Sequence, residues 1–119
     1  MESSQARVEL TQRALTDIRG IENYSVTRWG CDVAAKYLED ITAALDRLSE
    51  SPAILRLEPD FAPGLGFYRV RKHFLVCAWY EERIIVLTVI HTSMDLPSRL
   101  RELVPQLIAE AQLLQNKLH

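Results

Sequence analysis

Tyr68-Arg69-Val70-Arg71-Lys72-His73-Phe74-Leu75-Val76-Cys77-Ala78-Trp79-Tyr80 runs without a break into Glu81-Glu82-Arg83 and then Ile84-Ile85-Val86-Leu87-Thr88-Val89-Ile90-His91. This stretch decides the fold. Its interior positions are nearly all β-branched or aromatic, the side chains that fit a half-buried pleated surface. Two short charged interruptions divide it into three consecutive strands, at about 66–72, 74–80 and 83–91. In the last, Ile84, Val86, Thr88 and Ile90 are expected to point one way and Ile85, Leu87 and Val89 the other. Apolar side chains on both faces imply a central strand covered, at least in part, on both sides.

The cover for one face lies upstream. Arg7-Val8-Glu9-Leu10 alternates and is short, which suits a strand at or near a sheet edge, and Thr11 can cap the helix that follows. In that helix Ala14, Ile18, Ile21 and Ser25 form one stripe, with Leu15 and Tyr24 beside it and Asp17, Arg19 and Glu22 turned away. Trp29-Gly30 ends it. A second helix is predicted from about Cys31 to Ser49, with Ala34, Tyr37, Leu38, Ile41, Ala44, Leu45 and Leu48 on one face. The short link makes the pair an antiparallel hairpin suited to lie on a sheet. Residues 50–66 contain three prolines and two glycines and read as loop, apart from a brief extended edge at Ile54-Leu55-Arg56-Leu57.

The cover for the other face is expected from the tail. Asp95 can cap a third helix that tolerates Pro97 in its first turn. Leu100, Val104, Leu107, Ala111, Leu114 and Leu118 repeat at intervals of four and three, the seam of a helix that packs on something. Pro105 interrupts the hydrogen bonding, so a kink or break is expected near Val104. A soluble chain rarely leaves such a ridge in water. It should fold onto the chain's own sheet, pair with a second copy as a homodimer, or be shared with a partner.

At 119 residues and 48% hydrophobic composition, the chain is expected to form a single domain with one real core, residues 96–119 being a helical extension. No apolar run approaches the roughly 18–20 residues of a membrane span. Met1-Glu2-Ser3-Ser4-Gln5 lacks the basic and apolar regions of a signal peptide, so a cytoplasmic location is expected. Cys31 and Cys77 are too few and too far apart for a disulfide framework or zinc site. Both are expected to be inert, and neither a metal nor a cofactor is expected. Residues 1–65 hold seven Lys/Arg against eleven Asp/Glu, whereas 66–91 hold four against two. A net charge of -2 excludes a bulk nucleic-acid binder and leaves a local basic patch on the sheet.

Val8-Glu9-Leu10-Thr11-x-x-Ala14-x-x-Asp17-Ile18 resembles the opening of the RelE/ParE toxin family, as do Tyr24 and Trp29-Gly30 after it. Ala43-Ala44-Leu45-Asp46-Arg47-Leu48 with Ser51-Pro52 resembles the close of that family's second helix. Pro63-Gly64-Leu65 before Tyr68-Arg69-Val70 and His73 resembles its entry into the sheet, and Val89-Ile90-His91 with Met94-Asp95 its exit. The likeness spans about residues 7–100 and rests on order and spacing, since no single motif is specific. It implies an α+β fold in the order β-α-α-β-β-β, a helical hairpin on a small, mainly antiparallel sheet, here with an extra C-terminal helix. It also implies a toxin of a type II toxin–antitoxin system, wrapped and blocked by a cognate antitoxin encoded beside it.

Two activities divide that family. One branch, ParE-like, poisons DNA gyrase; the other, RelE-like, cleaves messenger RNA on the ribosome. RNA cleavage by 2′-OH attack needs groups that move protons and cations that hold the phosphate. Here that set would be Arg69 and Arg71, expected to share one strand face, with His91. Thr92-Ser93-Met94 stands where more basic residues would be expected, and no tyrosine follows Tyr80. The balance favours the gyrase branch, for which the chain would not be an enzyme; a non-toxic protein-binding relative is a third alternative. Candidates for contacting target or antitoxin are Arg69, Arg71, Lys72, His73, Trp79, His91 and Arg99. Most have a structural alternative: Arg69 can pair with Asp95, Arg71, Lys72 and His73 can solvate a turn, His91 can be a hydrogen-bonded structural group, and Trp79 can be packing.

Overall fold

A computed structural model describes residues 5–117, with side chains through Leu114. The reading of Met1–Ser4 as lacking a signal, and the seam position Leu118, lie outside the described residues. The chain runs β1 (Arg7–Leu10), α1 (Gln12–Trp29), α2 (Cys31–Glu50), a single 3-10 turn at Pro52–Ile54, β2 (Arg56–Leu57), β3 (Leu65–Val70), β4 (His73–Tyr80), β5 (Arg83–His91) and α3 (Leu96–Lys117). One sheet in the order β1-β5-β4-β3-β2 contains all the strands among the described residues. β1 pairs parallel to β5, and the other neighbours are antiparallel. The α+β reading and the extra helix stand, and β2 adds a two-residue edge.

Helix α1 begins as its sequence demands. Thr11 is the N-cap, and its hydroxyl accepts from the Ala14 amide at 3.1 Å. Gly30, at φ +94°, is the only residue between the two helices; its amide donates to the Val26 carbonyl at 3.0 Å and its own carbonyl accepts from Ala34 at 3.2 Å. That left-handed backbone turns the chain within one residue, which is glycine's use here.

The hairpin and α3 lie on opposite faces of the sheet. On the hairpin side, Ala14, Ile41, Ala44 and Leu48 pack against Leu75, Cys77, Ile84, Val86 and Val89. On the other, Leu100, Leu107 and Ala111 pack against Phe67, Val76, Ala78, Ile85, Leu87 and Ile90. The tail seam therefore folds back onto the chain's own sheet. α3 is also fastened to α1, where the Arg13 guanidinium holds the Glu110 carboxylate with Nε at 2.8 Å and Nη2 at 3.0 Å.

Three expectations are corrected. First, β5 does not alternate throughout. Val76 pairs with Thr88 and Cys77 with Val86, so Leu87 is an extra residue, a β-bulge. Beyond it the phase flips: Val89 joins Ile84 and Val86 on the hairpin side, and Ile90 joins Ile85 and Leu87 beneath α3. Second, Asp17 does not face away. Its carboxylate accepts from the Thr88 hydroxyl and from the Val89 amide at 3.0 Å, while Thr11 donates its hydroxyl to the Leu87 carbonyl at 2.9 Å. These two side chains satisfy the backbone that the bulge and the end of β1 leave without a strand partner. Third, Pro105 does not break α3, which continues through it. Pro105 is exposed, while Leu100 and Leu107 on either side are fully buried, so docking outweighs the lost hydrogen bond. Of the two cysteines, Cys31 is exposed and Cys77 is buried, and burial pushes the Cys77 thiol pKa up.

These contacts set two expected outcomes in urea unfolding. Leu107→Ala should destabilise the chain by about 2–5 kcal/mol through the cavity it leaves under α3. Asp17→Ala should cost about 1–3 kcal/mol by stranding the Val89 amide.

Candidate functional site

Tight pairing brings the basic residues together. Val70 pairs with His73 across a two-residue turn, and His73 pairs with His91 on β5. Arg69, Arg71, Lys72, His73 and His91 therefore gather at one end of the sheet. Trp79 does not join them: it lies at the far end of β4, partly buried, with its indole Nε1 donating to the Glu81 carbonyl at 2.9 Å. Arg99 is exposed in the first turn of α3, the helix that packs on the opposite face.

Arg69 and Arg71 do not project from one strand face as alternate positions would. β3 stops at Val70, and Arg71 sits in the turn at φ +51°. From there its guanidinium passes over the Tyr37 ring, 5.4 Å from the centroid, to pair with the Asp40 carboxylate on α2. Arg69 donates from Nε to the Arg71 carbonyl at 2.8 Å, rather than to Asp95. Asp95 instead accepts from the Ser98 hydroxyl at 2.9 Å in the first turn of α3.

The histidines form a pair with Tyr37. Their rings meet edge to face with centroids 5.0 Å apart, and the Tyr37 hydroxyl is hydrogen-bonded to His73 Nδ1. That hydroxyl also accepts from the Lys72 amide at 3.3 Å. Burial, reinforced by the neighbouring His91, lowers the His73 pKa to about 4, so this imidazole is neutral at pH 7. Desolvation raises the Tyr37 pKa above its usual 10.0. His91 Nδ1 accepts from the Ser93 amide at 3.0 Å, which places the proton of the neutral ring on Nε2. Tyr37 was readable only as a core position of α2. Its polar tip on an apolar stripe was the available signal, since a buried tyrosine hydroxyl needs a partner.

These residues border a groove of about 440 Å³ between α1 and the end of β5. Val89, His73 and His91 lie on the sheet side, and Ile21, Tyr24 and Trp29 on the helix side, with Tyr37 and Lys72 closing the end. Tyr24 and Trp29 meet edge to face at 5.7 Å, yet remain 59% and 55% exposed, far more than aromatic rings in a packed core. Gly20 also lines the groove, and a Cβ there would meet no atom within 4 Å beyond its own stretch of helix. The sequence flagged Lys72, His73 and His91 but not this wall; Tyr24 and Trp29 were read only as helix-end markers.

A helical hairpin laid on one face of such a sheet is the fold of a chain of the chromosomal ParDE TA system from P. aeruginosa. The two align with a TM-score of 0.64 at 19% identity, over 75% of this chain and 98% of that one. Residues 8–96 match the family model described as the ParE toxin of type II toxin–antitoxin system, parDE. Similar sequences include Toxin ParE of Escherichia coli, 28% identical over 94 residues, which are 78% of this chain and 91% of that protein. Toxin ParE1 of Caulobacter vibrioides is 30% identical over 87 residues, 72% of this chain and 88% of its own length. Toxin ParE1 of Mycobacterium tuberculosis is 30% identical over 96 residues, 80% of this chain and 98% of its own length. The chain belongs to the ParE toxin family of type II toxin–antitoxin systems. The family match ends at residue 96, where α3 begins.

The state of His73 gives a measurable pH dependence. An imidazole that titrates at about 4 when folded and near 6.5 when unfolded gains its proton first in the unfolded chain. Its contribution to stability should be constant above pH 6.5, fall between pH 6.5 and 4, and level off below that. Urea titrations across this window should show a shallower acid-side loss for His73→Gln, which keeps a polar partner for Tyr37. Imidazole NMR should find His73 neutral at pH 6.

Proposed function

We propose that this chain is a cytoplasmic ParE-like toxin that inhibits DNA gyrase and is neutralised by a cognate antitoxin. Membership of the ParE family carries the reading, with the gyrase branch as the target its sequence resembles most. The bonding at the sheet end supports it. Cleaving RNA would require cations free to hold a phosphate and a group titrating near the working pH. Arg71 is occupied by Asp40, Arg69 turns to a backbone carbonyl, and His91 Nδ1 is engaged by the Ser93 amide. That arrangement suits docking better than proton transfer. Among the described residues, no helix is long and apolar enough to cross a membrane, in keeping with a cytoplasmic target.

Purified gyrase should lose supercoiling activity, and accumulate cleaved DNA–gyrase complexes, when the chain is added in excess. Prior mixing with the antitoxin should restore activity. Intact supercoiling at saturating toxin, together with codon-linked cuts in the messages of induced cells, would transfer the target to the ribosome.

A further inference from the structure

We infer that the leucine-lined hollow where the end of α3 meets the start of α1 is a self-association surface, and that a second copy of this chain covers it across a two-fold axis. The hollow measures about 590 Å³. Leu10 at the end of β1, Leu15 on α1, and Leu113 and Leu114 on α3 line it, together with the exposed Gln12 and Thr16. Leu100, Leu107 and Ala111 turn the seam of α3 onto the sheet and are fully buried. Leu113 lies off that seam and is 62% exposed, and Leu15 is 39% exposed. Arg13 and Glu110, bonded to each other in the same hollow, fasten the two helices there. A soluble chain seldom leaves a cluster of this kind to water. The family match ends at residue 96, so the α3 side of the hollow is built by residues beyond it.

The makeup of the hollow selects an identical partner. A projecting leucine and the depression that can receive one belong to the same patch. A two-fold axis places Leu113 of each copy in the hollow of the other, beside Leu15, so one contact is made twice and the assembly closes. Charge points the same way. Among the described residues, the charged groups lining the hollow are Arg13, Asp17 and Glu110. Arg13 and Glu110 hold each other, and Asp17 accepts from Thr88 and Val89. No free charge is left to call for an acidic or a basic partner, or to repel an identical surface. Gln12 and Thr16 each carry a donor and an acceptor, so each can bond its own equivalent, as a lysine or a glutamate cannot. An apolar centre free of unpaired charge is the composition of an interface core.

Sedimentation equilibrium of the full-length chain alone should show monomers in reversible exchange with dimers. Leu113→Asp and Leu15→Glu should each weaken the dimer by about 100-fold or more, because the symmetry buries every introduced carboxylate twice among leucines. Leu57→Asp, at an exposed leucine on β2, should leave the dimer constant within about twofold, as substitutions outside an interface do. A mixture of Leu15→Glu with Leu113→Lys sets the two new charges against each other across the axis. Mixed dimers should then form at least about tenfold more tightly than either variant pairs with itself. Thermal melts monitor folding; Leu113 is the more exposed position, so its variants carry the test should Leu15→Glu fail to fold. A chain that stays monomeric at every concentration, or a dimer indifferent to Leu113→Asp, would overturn the inference. So would a monomer in which Leu113→Asp weakens binding of the adjacent gene's product, since the hollow would then belong to the antitoxin.

Discussion

β5 has apolar side chains on both faces, and every residue from Ile84 to Ile90 is buried. A strand of that kind is stable only between two layers, because each fully buried large side chain contributes roughly 1.5–3 kcal/mol that exposure would forfeit. The α1–α2 hairpin supplies one layer and α3 the other. β1 and β4 satisfy its backbone on either side. The position of the candidate groove follows from this arrangement: it lies where β1 has ended, β5 continues, and α1 crosses above.

The bulge at Leu87 links that architecture to the site. Without it, strict alternation would put His91 on the face that α3 covers. The extra residue returns Val89 and His91 to the hairpin side, where His91 meets His73, itself bonded to Tyr37. Asp17 and Thr11 hold the bulge from α1. The start of the helix that walls the groove is therefore bonded to the strand at its floor.

Much of this was legible from residue types. The three β-rich runs, the two amphipathic stripes and the seam of α3 were readable, because period and burial are coupled directly. The bulge was not, because Thr88 and Val89 are both good strand residues and either phase buries apolar groups. Asp17 read as a solvated carboxylate for the same reason: its partners appear only once the phase of β5 is known. The turn at Arg71 was placed one or two residues late, since Arg-Lys-His carries no glycine or asparagine to mark the positive φ. The basic cluster was recognisable in sequence, but its internal bonding to Asp40 and Tyr37 was not, because those partners come from α2, more than thirty residues away. Pro105 does not end its helix because α3 is held by docking rather than by its own propensity.

The placement of α3 has a consequence for the order of synthesis. The hairpin can form from the first half of the chain, but the sheet face formed by Val76, Ala78, Ile85 and Leu87 exists before the helix that covers it has been made. At roughly 5–20 residues per second, the 22 residues of α3 take about one to four seconds to appear. During that interval the growing chain carries an uncovered apolar sheet, a surface that attracts chaperones and other nascent chains. Translation that stops before α3 would release a species with both strand pairing and hairpin in place but one face open. Such a product would expose Val76, Ala78, Ile85 and Leu87 and so favour aggregation, which makes α3 the cover for a surface that the strands alone leave open.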